Sequence, residues 1–182
     1  QKGIDYIGEL PQFTKEFIAH FKIAEHFGYK ISVHSGSDKF AVFPVIGKET
    51  GGKYHLKTAG TNWLEAVRVI AAKNPVLYRR MHQFALANLA EARKYYHISA
   101  DPAKVPDISK MSDPELPGLM DLVDPRQVLH ITYGLILQAK NPDGTTTFRD
   151  EIYETLDKFE ADYYAALERH IGKHLKLLGV MK

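Results

Sequence analysis

The spacing of hydrophobic and polar positions along this chain predicts helices separated by short strands. Over residues 11–27, apolar side chains recur every three or four positions, which is typical of an amphipathic helix: Phe13, Phe17, Phe21 and Ala24. Strict alternation over residues 29–34, and again over 53–58, predicts two strands that each have one apolar and one polar face. Between them, residues 38–48 are expected to form a short helix that bends at Pro44.

The rest of the chain is predicted to be mostly helical, with one further strand. Helices are expected over four ranges: 63–73, 75–95, 124–138 and 148–178. Asn62 and Asp124 are predicted N-caps, because each precedes a helical pattern and has Glu or Gln three residues later. Residues 96–100 are predicted as a third strand, 101–123 as a Pro-rich irregular segment, and 141–144 as a turn.

The order of these elements indicates an α/β fold. Strands that alternate with helices form βαβ units, and such units build a parallel sheet. The chain has 182 residues, which is enough for one domain with a real core, and it contains no internal repeat or linker. We therefore expect one α/β segment with three parallel strands, which is few for a sheet of this kind.

The composition and charge exclude several classes of protein. Hydrophobic residues make up 45% of the chain and charged residues 25%, as in ordinary globular domains. The net charge of +2 gives no electrostatic argument for binding nucleic acid or an anionic membrane. No apolar run approaches the roughly 20 residues of a membrane-spanning helix. The absence of cysteine excludes disulfides and thiolate metal sites, and we expect a cytoplasmic protein.

Polar side chains end both strands predicted in the first half of the chain. His34 closes the first strand, and His55 and Lys57 share the polar face of the second. Because α/β enzymes build active sites in the loops after parallel strands, we interpret the two histidines as metal ligands or substrate contacts. The alternative is that they are hydrogen-bonded residues that hold the loops. Neutral imidazole suits zinc, manganese or nickel-type cations.

Other polar residues near these positions have two interpretations each. Lys57 is expected either to bind a carboxylate or polarise a carbonyl, or to extend its ammonium group into water. Asp38 either acts in catalysis or complements a helix dipole. Arg126 and His130 share one face of a helix, with Gln127 beside them, and an arginine there either grips a carboxylate or forms a surface pair. The other helical histidines are predicted to be packing or surface residues: His20, His26, His82, His170 and His174.

Several blocks of sequence together resemble the tagaturonate epimerase family, a group of hexuronate-pathway isomerases related to tagatose 4-epimerases. The blocks are KISVHSGSDKFAVFPVIGK (30–48), YHLKTAGTNWLEAVRVIA (54–71), YYHISAD (95–101), DPRQVLHITYG (124–134) and HIGKHLKLLG (170–179). Members of this family are longer, so the resemblance implies the C-terminal part of a TIM-like barrel with parallel strands and a long C-terminal helix. It also implies that this chain pairs with an absent N-terminal part or with a second chain.

The resemblance implies interconversion of D-tagaturonate and D-fructuronate, two sugar acids that differ at C4, with the help of a divalent metal ion. The ketone of these sugars is at C2, so the proton on C4 is not acidic. We favour retro-aldol cleavage of the C3–C4 bond followed by re-addition, with the metal polarising the C2 carbonyl. The other route is transient oxidation at C4, which needs a nicotinamide cofactor, and the chain contains no GxGxxG motif.

Within the reaction that the resemblance implies, residue type and strand-end position assign three roles to residues of this chain. The predicted metal ligands are His34 and His55, the predicted catalytic residues are Asp38, Lys57 and Asp101, and the predicted substrate-binding residues are Ser35, Lys39, Arg126, Gln127 and His130. Two other hypotheses stay open. One is a different metal-dependent keto-sugar aldolase or isomerase, and the other is a non-catalytic carbohydrate-binding fragment.

Overall fold

The computed structural model describes residues 2–34 and 38–181, in which helices dominate. The α-helices of these residues are α1 (Leu10–His26), α2 (Phe43–Thr50), α3 (Ala59–Lys73), α4 (Pro75–Ala87), α5 (Leu89–Ala92), α6 (Val123–Ile131), α7 (Tyr133–Gln138), α8 (Arg149–Lys158) and α9 (Glu160–Leu177). The strands are β1 (Ile31–His34) and β2 (Tyr54–Lys57). The segment before α6 contains 3-10 helices at Pro102–Lys104, Ile108–Lys110 and Asp113–Asp121.

The two strands pair in parallel, as the sequence predicts. Ile31 lies opposite Tyr54 and His34 lies opposite Lys57, with α2 as the crossover between the strands. On the apolar face, Val33 is buried in a small hydrophobic core that α1, α2 and the end of the chain complete: Phe17, Val42, Phe43, Ile46 and Leu178. This core therefore supports the sheet from one side.

A larger hydrophobic core holds the helical part of the chain together. Helix α3 lies at its centre and packs against α4, α6, α8, α9 and the 3-10 helix Asp113–Asp121. The largest fully buried side chains of this core are Leu64, Ile70, Leu77, Tyr78, Met81, Leu116, Leu119, Met120, Leu129 and Ile136. Because α3 follows β2 directly, this core fixes the position of the second strand end.

The predicted third strand is wrong, because residues 96–100 form no strand in the structure. The backbone N–H of Ser99 donates to Oε1 of Gln127 (3.1 Å), and that of Asp101 donates to Oδ1 of Asp124 (2.7 Å). These side chains on α6 take the place of a neighbouring strand. The described residues thus form a mixed α/β unit, mostly helical, with a two-stranded parallel sheet that does not by itself make a barrel.

Two predicted helix caps are also wrong. Helix α3 begins at Ala59 after Thr58, so Asn62 lies in the first turn and does not cap it. Helix α6 begins at Val123, and the carboxylate of Asp124 accepts the hydrogen bond from Asp101 instead. Asn74 does cap α4, since its Oδ1 accepts from the backbone N–H of Leu77 (3.1 Å).

Several predicted helices are shorter or interrupted in the structure. The predicted helix 124–138 is divided between α6 and α7 at Thr132, and the predicted helix 148–178 is divided between α8 and α9 at Phe159. Pro44 lies in the first turn of α2, where its missing N–H costs no hydrogen bond, so it starts that helix and does not bend it. The predicted turn at 141–144 is confirmed by a hydrogen bond from Gly144 N to Asn141 O (2.9 Å). Within residues 2–34 and 38–181, no helix has the length and apolar character needed to cross a membrane.

Candidate functional site

One face of the two-stranded sheet is polar and exposed. Ser32, His34, His55 and Lys57 are all exposed and alternate with the inward-facing residues of β1 and β2. In the register of the sheet, Ser32 lies opposite His55 and His34 lies opposite Lys57. We call these four residues the polar ladder. The sheet thus brings together both predicted metal ligands and one predicted catalytic residue.

The imidazole of His55 is held by its neighbour on the other strand. Ser32 Oγ lies 2.8 Å from His55 Nδ1, within hydrogen-bonding distance. When the hydroxyl accepts from Nδ1–H, the lone pair of the ring is on Nε2, which is the arrangement that metal-binding histidines use. His34 is the diagonal neighbour of His55 on the same face. The two predicted metal ligands therefore lie on one face of the sheet, on neighbouring strands.

The polar ladder does not supply a complete metal site. In the part of the chain that the structure describes, no three His, Asp or Glu side chains are grouped so that they could hold a metal ion. A protein zinc site has three or four protein ligands, so His34 and His55 alone would not make one. Their assignment as ligands stays a prediction, and so does the catalytic role of Lys57.

A second group of ionisable residues, most of them buried, lies near the segments that follow the strands. We call Asp38, Glu65, Arg68, Arg126 and His170 the ion cluster. Arg126 lies at its centre, with only 8% of its surface exposed. The arginine has partners in several segments, and each of its three nitrogens donates a hydrogen bond within the chain.

The partners of Arg126 are a carboxylate and two backbone carbonyl groups. Nη2 donates to Oδ2 of Asp38 (2.9 Å), Nε to the carbonyl oxygen of Gly3 (2.6 Å) and Nη1 to that of Met120 (2.8 Å). Nη1 also lies 3.9 Å from Oε1 of Glu65. The guanidinium therefore lies near two carboxyl groups, one from the loop after β1 and one from helix α3.

Burial changes the proton affinity of both carboxyl groups. It raises the pKa of Asp38, although Arg126 acts in the opposite direction. It also raises the pKa of Glu65, against the effect of Arg68 and Arg126. Among the described residues, Oδ1 of Asp38 is buried without a hydrogen-bond partner, which adds to the cost of ionising this group.

His170 joins the ion cluster to the first turn of α3. Its Nε2 lies 2.8 Å from Oγ1 of Thr61, and its Nδ1 lies 3.8 Å from Oε1 of Glu65. Burial lowers the pKa of His170 to about 3, so the ring is neutral near pH 7. Of the two interpretations of this histidine, packing and surface, its burial agrees with packing, and Lys173 Nζ beside it lies over the ring of Phe40 at 4.0 Å.

An open cavity of about 320 Å³ lies beside the ion cluster. Its wall contains all five cluster residues together with apolar side chains such as Phe40 and Met120. The sequence prediction includes Asp38 and Arg126 but misses Glu65, Arg68 and His170. Glu65 is mistaken for part of a capping box, and the only sequence signal for His170 is its spacing of four from His174.

Lys39 lies between the polar ladder and the ion cluster. Its Nζ donates to the carbonyl oxygen of His34, and it is the next residue after Asp38. Its backbone has φ of 56°, in the left-handed region that non-glycine residues seldom adopt. Burial, reinforced by Lys2, lowers the pKa of Lys39. The neighbouring predicted residue Ser35 lies outside the described residues.

The remaining predicted site residues lie in the helical part of the chain. Gln127 is fully buried, and its Nε2 donates to Oγ of Ser99 (3.0 Å). Asp101 caps a 3-10 helix through a hydrogen bond from the N–H of Ala103 (3.0 Å). His130 is buried, and desolvation lowers its pKa to about 4. Their predicted catalytic and substrate-binding roles stay predictions.

Known proteins of one family resemble this chain over nearly its whole length. A family model described as tagaturonate epimerase matches residues 1–178. The tagaturonate/fructuronate epimerase of Thermotoga maritima is 46% identical over 179 residues, which make up 98% of this chain and 36% of that protein.

Crystal structures of the fructuronate-tagaturonate epimerase of Cohnella laeviribosi have the same fold over the matched region. The native structure gives a TM-score of 0.94 at 58% identity, covering 98% of this chain and 36% of that one. A complex with two glycerols gives 0.95 at 57% identity, covering 100% and 37%. The chain thus spans a little over a third of the length of these relatives.

Proposed function

This chain belongs to the tagaturonate epimerase family, and from that membership we propose that it contributes to interconversion of D-tagaturonate and D-fructuronate at C4. The observation that carries the proposal is the family match over residues 1–178, together with two histidines and a lysine on one exposed sheet face. The relatives that are named as epimerases are much longer, so the active protein in this proposal includes residues beyond this chain.

The polar ladder is the proposed contribution of this chain to a divalent metal site. His34 and His55 would hold the ion, and Ser32 fixes the ring of His55. When bound, the ion would polarise the C2 carbonyl and stabilise negative charge on the neighbouring oxygens. The further ligands would come from another part of the protein or from a second chain. Zinc, manganese and nickel-type ions all suit such imidazole ligands.

The proposed reaction is a retro-aldol cleavage followed by an aldol addition. A base removes the proton of the C4 hydroxyl, the C3–C4 bond breaks, and its electron pair moves to C3 to give an enediolate. The C4 aldehyde then turns its other face, C3 attacks it, and the proton returns to the C4 oxygen. Asp38 and Asp101 remain the proposed bases, and no hydride leaves C4 in this sequence.

The exposed sheet supports a larger barrel as the setting of the site. Parallel sheets are normally covered on both faces, whereas the polar ladder leaves one face of β1 and β2 exposed. We therefore propose that the strands belong to a TIM-like barrel that other residues of the protein, or a second chain, complete. In such a barrel other parts of the protein would cover the polar ladder, and its residues could take part in an active site.

The proposal is tested by turnover in the complete natural protein. Purified protein is incubated with D-tagaturonate before and after chelation of metals, and D-fructuronate is measured. We expect conversion that chelation abolishes and a divalent ion restores, with a deuterium at C4 retained in the product. Absence of conversion, or a primary isotope effect at C4, would contradict it. Release of three-carbon products without epimerisation would instead identify an aldolase.

A further inference from the structure

The contacts of Arg126 indicate a positioning role, an inference that rests on the proposed function. We propose that Arg126 holds the two loops that follow β1 and β2, and that Lys57 on the polar ladder recognises the C6 carboxylate of the substrate. This reverses the roles that residue type alone suggests for the two cations. Arginine is the usual partner for a carboxylate, because its planar fork donates two hydrogen bonds at once.

The fork of Arg126 is already used inside the chain. A guanidinium binds a carboxylate either along its Nε–Nη2 edge or along its Nη1–Nη2 edge. Nη2 donates to Asp38, while Nε and Nη1 donate to the carbonyl groups of Gly3 and Met120. Every nitrogen of both edges therefore already donates a hydrogen bond within the chain, and a substrate carboxylate would have to compete with these partners.

The same contacts connect the segments that carry the polar ladder. Asp38 belongs to the loop after β1, four residues beyond His34. Glu65 belongs to α3, which begins two residues after Lys57 and places its carboxylate 3.9 Å from Arg126. One buried cation thus attracts a carboxyl group from the segment after each strand. Removing it would loosen both strand ends at once.

A second contact supports the end of β2. Thr61, in the first turn of α3, donates from Oγ1 to the carbonyl oxygen of Thr58 (3.3 Å). Oγ1 of Thr61 also lies 2.8 Å from Nε2 of His170, which belongs to the ion cluster. The loop that follows Lys57 is therefore tied to the cluster through neutral hydrogen bonds as well as through charge.

Lys57 lies where a substrate on the sheet face would meet it. It is exposed, it lies opposite His34 in the register, and it shares its face with His55. Its ammonium group carries positive charge on a flexible stem, which can adjust to a carboxylate four carbons away from the polarised C2 carbonyl. A sugar with CH2OH at C6 offers no charge for Lys57 to recognise.

The test compares two substrates with three variants of the complete natural protein. Arg126→Met, Arg126→Lys and Lys57→Met are assayed with D-tagaturonate and with D-tagatose, which has CH2OH at C6. For Arg126→Met we expect kcat/KM to fall by about 10²-fold on both sugars, since a misplaced site harms both alike. Arg126→Lys should restore part of this loss. Lys57→Met should lower kcat/KM on the sugar acid by a factor about ten times larger than on the neutral sugar.

Amide hydrogen exchange gives a readout that does not depend on turnover. In Arg126→Met we expect faster exchange in residues 38–43 and 58–62 together, and in Lys57→Met no change in either segment. If Arg126→Met does not fold, Asp38→Asn removes the same ion pair with little change of shape and should speed exchange in 38–43. Unchanged exchange, or a loss confined to the sugar acid in Arg126→Met, would overturn the positioning role. An equal loss of kcat/KM on both sugars in Lys57→Met would overturn the recognition role. An inactive wild-type protein would refute the proposed function, and amide hydrogen exchange alone would then test the positioning role of Arg126.

Discussion

The polar ladder and the ion cluster contain similar residue types in opposite environments. His34, His55 and Lys57 are exposed on the sheet face, where a ligand can reach them. Arg126 and His170 are buried, and their polar atoms are engaged with other parts of the same chain. A charged or imidazole side chain near a strand end can therefore either contact a ligand or support the loop that follows the strand. Burial distinguishes the two environments, and residue type does not.

The energetics of the two regions differ for the same reason. Exposed charges are screened by water, so the polar ladder adds little to stability. In the ion cluster, Arg126 has lost its hydration, and its partners must replace it. Deleting a partner there leaves a buried charge unpaired, whereas deleting a residue of the polar ladder exposes a little more of the sheet. Substitutions should therefore separate the regions: those in the polar ladder should lower activity with little change of stability, whereas those in the ion cluster should lower stability as well.

The largest effect is expected from removing the predicted metal ligands. His34→Ala or His55→Ala should lower both bound metal and kcat by about 10³-fold, the rate equivalent of several kcal/mol of lost charge stabilisation. The free energy of unfolding of the metal-free protein should stay within about 0.5 kcal/mol of wild type, because both side chains are exposed. Metal content by elemental analysis, turnover and urea unfolding measure the three quantities.

His20→Ala is the matched control for these two variants. His20 is also exposed, but it lies on α1 away from the strands, so the substitution should leave metal content and turnover unchanged. Full metal occupancy in both His34→Ala and His55→Ala would show that the polar ladder holds no ion. The two regions would then differ in burial but not in metal binding.

A loss of stability is the next largest effect, and it belongs to the ion cluster. Asp38→Ala should reduce the free energy of unfolding by about 3 kcal/mol, because it leaves the guanidinium of Arg126 buried beside an empty space. Asp38→Asn keeps the shape and a hydrogen-bonding oxygen, so it should cost less. Urea unfolding of both variants gives the comparison. A cost for Asp38→Ala as small as that of His34→Ala would mean that the cluster does not support the fold.

The sequence predicts the sheet correctly because its signal is local. Alternation over Ile31–His34 and Tyr54–Lys57 records which face is buried, and the helix between them demands a parallel crossover. Residues 96–100 show the same alternation, yet Gln127 and Asp124 on α6 take the backbone N–H groups that a strand would pair. These hydrogen-bond partners are 23 and 28 residues away, and the local alternation of apolar and polar residues carries no information about them. The third strand is therefore an error that periodicity cannot avoid.

The candidate site is predicted in part for a similar reason. Strand-end position places His34, His55 and Lys57 on one face without knowledge of the rest of the fold. The burial of Arg126 depends on contacts with Gly3 and with Asp38, which are 123 and 88 residues away along the chain. Its helix pattern therefore fits a surface residue as well as a buried one. The ion cluster arises from tertiary packing, which the sequence alone does not reveal.

The stability of the protein should also depend on pH through the buried histidines. Burial lowers the pKa of His170 to about 3 and that of His82 to about 4, whereas the pKa of an unfolded histidine is about 6.5. The unfolded state therefore binds more protons as the pH falls below 7, and the free energy of unfolding falls with it until the folded pKa is reached. The raised pKa values of Asp38 and Glu65 act in the opposite direction, adding stability as the pH falls.

His170→Gln tests the share of the ion cluster in this pH dependence. The amide keeps a nitrogen near Thr61 but does not take up a proton, so the fall in unfolding free energy between pH 7 and pH 5 should become shallower. Urea midpoints measured at both pH values give the slope. His82→Gln, in the helical core, is the matched variant and should flatten the slope independently. An unchanged slope in His170→Gln would show that this ring is not held neutral by burial.

The smallest expected effect separates orientation from ligation within the polar ladder. Ser32→Ala removes the hydroxyl beside Nδ1 of His55 and leaves both imidazoles in place. Because such partners fix the tautomer and direction of a ligand, metal affinity should fall about tenfold. Unfolding free energy should not change, since Ser32 is exposed. Ser32→Thr keeps a hydroxyl and should retain wild-type affinity. If the metal affinity of Ser32→Ala were unchanged, the contact between Ser32 and His55 would support the sheet and would not orient a metal ligand. This exposed hydrogen bond would then have a structural role, like the buried hydrogen bonds of the ion cluster.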